Sequence, residues 1–432
     1  MPNERDRRTF LKTTTAATAA AAASFPHIAK AQAGNNETIK VGLIGCGGRG
    51  TGAATQAIKA DDNTKLWAVA DAFAHKIEAP LKTLGAAFPD RIEVPEERRF
   101  VGLDAYQKLL ASGVDVVLIA APPGYRPLHV RAAVEAGKHV FAEKPMAVDM
   151  AGVKSIIKSA EMAKKNNTAI QHGYCWRFSP ANRIAFERAH SGELGAIRGF
   201  YGTYLGSPVR ALAPDAMKPD GMGDVEWQLS KWINFEWLSG GPLLEQCIHV
   251  VDKVAWAMGD VAPIAAVGNG GRGQRTDAGN VYDNYSIAYE YPGGVFCHVL
   301  QRQYAGCHNE NISRIICENG NVIGPWKVSI QDKAGETSWK YREKRGEEQN
   351  MYQVCHNEFF AALRKGEIIN AGKYMADSTA LGILGREAAH TGQRVTWEDL
   401  WKSDEDMAPD DLVFNDKFPV PPPPVPGEDQ FA

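Results

Sequence analysis

Two short groupings in this 432-residue chain place chemistry-bearing side chains at working spacings. Glu245 and His249 are four residues apart, so on a continuous helix they would share one face. An imidazole beside a carboxylate can hold and pass on a proton near neutral pH, although a histidine seen alone is more often a packed or surface residue. The second grouping, Gly45-Cys46-Gly47-Gly48-Arg49-Gly50, has the spacing GxGxxG. Gly45 would allow a tight turn, Gly47 would let backbone approach a pyrophosphate, and Gly50 would let helix and strand pack closely. The N-terminus of the following helix would offer free N–H groups to the phosphates. Asp71 comes 21 residues after Gly50, at the end of a second apolar run. A carboxylate there either caps a helix or accepts hydrogen bonds from an adenosine ribose, and it repels a 2′-phosphate. NAD is therefore expected over NADP, with Lys76 nearby keeping the second nucleotide open.

The elements that must hold these residues follow from the apolar pattern. Short apolar runs at 39–44, 66–70, 115–120, 139–142 and 168–171 read as buried parallel strands. Helical stretches lie between them, one from about Arg126 to Ala136 and another from about Asp149 to Lys165. This alternation predicts a doubly wound parallel sheet over residues 38–172. Ligands bind such sheets beyond the carboxyl ends of the strands. Pro122, Pro123 and Glu143-Lys144-Pro145 fall there, which makes Lys144 a site candidate by position.

Beyond residue 172 the pattern changes. Runs at 286–291 and 295–300 joined by Pro292-Gly293-Gly294 read as a hairpin, with further strands over 196–205 and 312–317. Helices are expected near 351–364 and 375–390. Trp227, Trp232 and Trp237 recur in steps of five, which line no single helix face, so an irregular segment is expected there. Those rings could stack on a sugar or pack an interface. Tyr174 and Arg177, at the domain junction, could line a substrate pocket or tie the domains together. After residue 400 the chain is acidic and proline-rich, readable as a surface strap or as disorder.

The first 33 residues stand apart. Arg7-Arg8-Thr9-Phe10-Leu11-Lys12 precedes a Thr/Ala tract, and Ala31-Gln32-Ala33 fits a cleavage site. This order predicts a twin-arginine signal and a periplasmic or otherwise exported protein that meets the export machinery already folded. Removing it changes the net charge from −3 to −6. Neither value is a basic footprint for nucleic acid, and no apolar run is long enough to span a bilayer. Seven scattered cysteines define no disulfide framework. The pairs Cys297-His298 and Cys307-His308 sit on adjacent positions, which on strands face opposite ways, so no metal site is expected.

The chain resembles the glucose–fructose oxidoreductase / inositol dehydrogenase (Gfo/Idh/MocA) family. The resemblance rests on GCGGRG at 45–50, AAPPGYRPLH at 120–129, AGKHVFAEKP at 136–145, GYCWRFSP at 173–180, GELGAIRG at 192–199 and GGPLLEQCIHVVD at 240–252. It implies a Rossmann domain followed, over 173–400, by an α+β domain with a large, mostly antiparallel open sheet, and a strap over 401–432. It further implies hydride transfer between NAD and a hydroxyl or keto carbon of a sugar, cyclitol or related polyol, in a homodimer or homotetramer. By resemblance Lys144 orients the reacting oxygen, His249 moves the proton, and Glu245 stands where the family more often has Asp. The expected cofactor contacts are Gly45, Cys46, Gly47, Gly48, Arg49, Gly50 and Asp71, with Pro122, His129, Glu143 and Lys144 from later strand ends. Tyr174, Arg177 and Trp237 are the substrate-side candidates. Some relatives are redox-neutral glycosidases that would use the same residues, and a noncatalytic nucleotide-binding protein is a third reading. Outside the cytoplasm free NAD is scarce, so an exported enzyme of this kind is expected to hold its cofactor captive.

Overall fold

The computed structural model describes residues 37–428. The expected signal peptide, residues 1–33, lies outside the described residues. The N-terminal half is built from β1 (Ile39–Ile44), α1 (Gly48–Ala60), β2 (Thr64–Asp71), α2 (Glu78–Ala87), β3 (Arg99–Val101), α3 (Ala105–Ala111), β4 (Val116–Ile119), α4 (Arg126–Glu135), β5 (His139–Ala142), α5 (Met150–Lys165) and β6 (Ile170–His172). The strands form one parallel sheet in the order β3-β2-β1-β4-β5-β6. Its order reverses between β1 and β4, which is where a doubly wound sheet opens a crevice. β4 and β5 are buried throughout, as continuous apolar runs require when helices cover both faces. Asp149 caps α5 by accepting the Gly152 N–H at 2.7 Å, and Lys164 and Lys165 sit favourably at its negative end.

The second half continues with α6 (Pro180–His190), β7 (Ile197–Gly206), α7 (Asp224–Ser230), α8 (Glu236–Ser239), α9 (Gly241–Glu245), α10 (Ile248–Ala257) and β8 (Ala265–Gly271). The expected hairpin is β9 (Asn284–Tyr291) and β10 (Val295–Gln303). Then come β11 (Ser313–Cys317), β12 (Gly320–Gly324), β13 (Ser329–Asp332), β14 (Thr337–Lys340), α11 (Met351–Lys365), α12 (Gly372–Thr391), β15 (Val395–Thr396) and α13 (Trp397–Lys402). The nine strands run β14-β13-β12-β11-β7-β10-β9-β8-β15, antiparallel except for the β10–β7 pair. α12 is apolar nearly all round and correspondingly buried between this sheet and α5.

Helix α11 does not stay with the domain that precedes it. Cys355, Phe359, Phe360 and Leu363 pack into the Rossmann core with Ala53, Ala57 and Phe141. Arg364 clamps Asp61 after α1 at 2.7 Å through both guanidinium nitrogens it offers. The first half is therefore completed by a helix far away in sequence.

The C-terminal segment is a strap. From Leu412 to Val420 alternate residues face inward: Leu412, Phe414, Phe418 and Val420 pack against the body while their neighbours are exposed. Phe414 stacks on Phe73, and Phe418 meets Trp237 edge-on. Tyr282 donates to the Pro424 carbonyl at 2.7 Å.

Candidate active site

At the end of β1 the chain turns through Gly45, whose φ of +90° lies in the left-handed region. A Cβ on Gly50 would stand 1.9 Å from the Gly45 carbonyl oxygen, so this contact admits only glycine. Gly47 and Gly48 face open space, with α1 beginning at Gly48. A pyrophosphate could lie against bare backbone there, so the loop fits a dinucleotide.

Asp71 closes the other side of this cradle. Its Oδ2 accepts the Cys46 N–H at 2.8 Å and its Oδ1 accepts the Phe73 N–H at 3.0 Å. Burial pushes its pKa up, partly offset by those two donors. The carboxylate is thus fixed and only half-buried beside the glycine loop. Cys46 contributes backbone only, because its side chain is in the core.

Arg49 leaves the loop to ion-pair with buried Glu143, Nε to Oε1 at 2.9 Å. Glu143 follows β5 directly, so this pair ties the glycine loop to the neighbouring strand end. Pro122 begins the turn after β4 and is half-buried. Sequence reasoning missed Arg126, which is buried and donates to the carbonyls of Pro145 and, at 2.6 Å, Ala121. It pins the two strand-end turns together; a charged residue directly after the Pro-Pro-Gly-Tyr turn was the available signal.

Lys144 projects from the β5 turn toward the second domain. Its Nζ donates to the Glu245 main-chain carbonyl and lies 3.5 Å from Glu245 Oε1. Glu245 and His249 do not share one helix. Glu245 ends α9, and the Cys247 N–H reaches five residues back to the Pro242 carbonyl at 3.0 Å, a turn wider than an α-helix. His249 is the second residue of α10. Gly240 and Gly241, both at positive φ, start α9 so close to this break that it holds only five residues. His249 retains some exposure, yet its pKa is held well below the usual histidine range, first by burial and then by the charges of Lys144 and Lys253. The neutral ring is the form that accepts a proton.

Four expected contacts are placed elsewhere. His129 packs between the rings of Tyr106 and Tyr125, its Nδ1 has no hydrogen-bond partner among the described residues, and burial lowers its pKa to about 3. It is a helix-packing residue, not a cofactor ligand. Tyr174 is fully buried and hydrogen-bonded to Thr379 at 2.9 Å. Arg177 is gripped by Asp252 at 3.2 Å and Asp260 at 2.6 Å and lies 4.0 Å over the Tyr374 ring. Trp237 is buried, its Nε1 donating to Gln228 Oε1 at 2.7 Å. These three are structural ties rather than pocket walls, because each polar tip finds a partner within the protein. The tryptophan segment is irregular, as its spacing requires, with Trp227 on α7 and Trp237 on α8.

Cys297 is buried and His298 faces the other way on β10. Cys307 and His308 lie in an exposed turn past β10, not on a strand. Among the described residues no three His, Cys, Asp or Glu side chains gather as metal ligands.

A glycine cradle beside the Asp71 carboxylate, with a lysine reaching across to a second, sheet-built domain, is the arrangement of a two-domain dinucleotide-binding oxidoreductase. Residues 39–174 match the NAD-binding Rossmann fold of the Gfo/Idh/MocA oxidoreductases, and 183–323 match that family's C-terminal domain. The chain belongs to this family. It is 29% identical over 154 residues to levoglucosan dehydrogenase of Pseudarthrobacter phenanthrenivorans, a match covering 36% of this chain and 35% of that protein. It is 25% identical over 297 residues to inositol 2-dehydrogenase of Rubrobacter xylanophilus, covering 68% and 73%. The first of these matches thus spans about a third of the relative's length. A solved levoglucosan dehydrogenase with NADH and levoglucosan superposes with a TM-score of 0.64 at 18% identity, covering 83% of this chain and 99% of that one. That likeness is one of fold.

Proposed function

We propose that this protein oxidises or reduces a CH–OH carbon of a sugar or cyclitol with NAD. The observation that carries this reading is the meeting of Lys144 with Glu245, beside the neutral His249, at the strand ends that also form the glycine cradle. The chemistry supplied by the nucleotide, when bound, is acceptance or return of a hydride at that carbon. The Lys144 ammonium orients the reacting oxygen and stabilises charge on it. His249 takes the hydroxyl proton in oxidation and returns it in reduction. Glu245 holds Lys144 and can accept a neighbouring hydroxyl. Relatives named for levoglucosan and inositol support a polyhydroxylated ring as substrate.

The reading extends to an exported protein with a captive cofactor. The strap supports retention, since Phe414 stacks on Phe73 two residues after the ribose carboxylate. A homodimer is proposed through the outer face of the nine-stranded sheet, where Phe296, Gly199 and Ile316 form one cross-strand row with two exposed apolar side chains.

The test is to purify the exported protein, denature it and identify the released nucleotide by mass spectrometry. Recovery of NAD(H) is expected; NADP(H) would overturn the reading of Asp71. A panel of sugars, cyclitols and glycosides then follows nicotinamide absorbance. Net NADH from a free polyol supports the dehydrogenase, whereas aglycone release without net NADH would replace it with a redox-neutral glycosidase.

A further inference from the structure

Four residues after His249, on the same side of α10, stands Lys253. It is 1% exposed, within a helix whose neighbouring residues are Val250, Val251 and Val254. An ammonium so deeply buried is costly unless a carboxylate offsets it. Among the described residues none lies within ion-pair distance of its Nζ. The adjacent Asp252 is committed elsewhere, to Arg177, to Tyr374 and to Ser378 Oγ at 2.8 Å. Lys253 instead rests over the Trp176 ring, 4.6 Å from its centroid. The nearby thiols of Cys175 and Cys247 are buried, and burial keeps both protonated and uncharged. A leucine or methionine would fill this position without the desolvation cost.

The charges that act on His249 are those of Lys144 and Lys253, and the groups around them set how far each is offset. Lys144 on the β5 turn is countered by Glu245 of α9 at 3.5 Å. Glu143 behind it is countered by Arg49 at 2.9 Å. Tyr204 of β7 stays a neutral phenol, its pKa raised by burial. Lys253, on α10 itself, has no carboxylate within ion-pair distance among the described residues, and the nearby Asp252, shared with Arg177, Tyr374 and Ser378, offsets its charge only in part. We propose that Lys253 is a positioning residue for proton transfer, its buried ammonium one helical turn along α10 helping to keep the His249 imidazole uncharged and ready to accept a proton. This rests on reading His249 as the proton acceptor. Burial lowers the pKa of Lys253 to about 8, so its hold on His249 weakens above that pH.

The test needs no substrate, so it stands apart from the assignment of the reaction. The full chain is labelled with 13C at histidine Cε1, and the His249 resonance is identified by its loss in His249→Gln. In the wild type His249 should stay neutral well below the ordinary histidine range. In Lys253→Met its titration midpoint should rise by about one pH unit or more, the effect of removing one nearby charge, while Lys253→Arg should leave it low. Thermal melts report whether each variant folds, and Lys253→Gln replaces the methionine variant should that one fail. A folded Lys253→Met or Lys253→Gln protein with unchanged His249 titration overturns the proposal. An equal rise in Lys253→Arg overturns it too, because packing rather than charge would then be responsible. The wild type supplies an independent check: its neutral His249 resonance should shift with a midpoint near pH 8 as Lys253 discharges. A resonance flat from pH 7 to 9.5 would count against the proposal.

Discussion

Lys144 Nζ, from the end of a Rossmann strand, lies 3.5 Å from Glu245 Oε1 of the second domain and donates to the same residue's carbonyl. The two halves of the reaction centre are thus joined through the lysine proposed to touch the reacting oxygen. Lys144→Met keeps the side-chain bulk but removes the charge. Steady-state assays on a substrate found in the panel should show kcat/KM falling by about 10²–10⁴, the range for loss of one polarising or proton-moving group. Mass spectrometry of the denatured variant should still find the nucleotide. Loss of nucleotide with unchanged turnover of the loaded fraction would move Lys144 from catalysis to cofactor binding.

Asp71 accepts the Cys46 N–H, and the proposed function gives the same carboxylate a second job as ribose acceptor. Asp71→Ala removes both. NAD affinity measured by calorimetry should fall about 10- to 100-fold, as expected for losing hydrogen bonds to a charged acceptor. NADP should gain relative to NAD, because the group that repels its 2′-phosphate is gone. An unchanged NAD:NADP ratio would show that Lys76 or another group sets the preference.

The row Phe296–Gly199–Ile316 on the outer sheet face gives the dimer proposal a direct check. Light scattering coupled to size exclusion should report a dimer or tetramer for the wild type. Phe296→Glu should lower that mass, because a charge in the middle of an apolar interface is left unpaired. A wild-type monomer at tens of micromolar would refute the sheet-face interface outright.

Most of the parallel sheet was legible because β1, β4 and β5 are apolar runs, whereas the short β3, Arg99–Val101, is at most half-buried and gave no such signal. The positions of GxGxxG, Asp71 and Lys144 at strand ends were legible for the same reason, from the apolar runs before them. What escaped depended on partners remote in sequence. Tyr174, Arg177 and Trp237 looked like pocket residues until Thr379, Asp252 with Asp260, and Gln228 took their polar tips. The Glu245–His249 spacing suggested one helix, but the wide turn at Cys247 is set by backbone closure that spacing does not reveal. Nothing in the sequence marks Lys253, because a lysine in a helix is ordinarily solvated and only its burial in the fold shows otherwise.

The strap can be removed by a stop codon after Lys402. This deletes the Glu405 carbonyl that receives the Ala151 N–H at 3.1 Å and the Met407 N–H on Asp149 at 2.8 Å. It also strips Phe414 from Phe73 and Phe418 from Trp237. Exposing that apolar surface and leaving buried Asp149 short of a donor should lower Tm by about 5 °C or more in calorimetry. The truncated protein should also release nucleotide faster after dilution, if the strap contributes to retention. A truncation with the parent's Tm would show the strap to be an appendage.

Acid should unfold this protein through its histidines. Burial lowers the pKa of His129, His172 and His356 from 6.5 to about 3. A depressed histidine contributes its full stability above 6.5 and loses it as pH falls, because the unfolded chain then binds the proton that the folded one refuses. Each can remove up to about 1.4 kcal/mol per pH unit within that window. Glu236 and Asp149 act in the opposite sense, since burial raises their pKa and the folded state holds their protons more tightly. Their contribution is present below their unfolded values and is lost as pH rises through their raised folded values, so it partly masks the histidines above the ordinary carboxylate range. Below about pH 4.5 the unfolded carboxyls are protonated as well, and the masking ends. Calorimetric scans should therefore give a nearly level Tm from pH 7.5 to 5 and a steep fall below 4.5. His356→Gln, which removes one of the three groups, should flatten that fall. A Tm that stays level to pH 3.5 would mean these rings accept protons inside the folded protein.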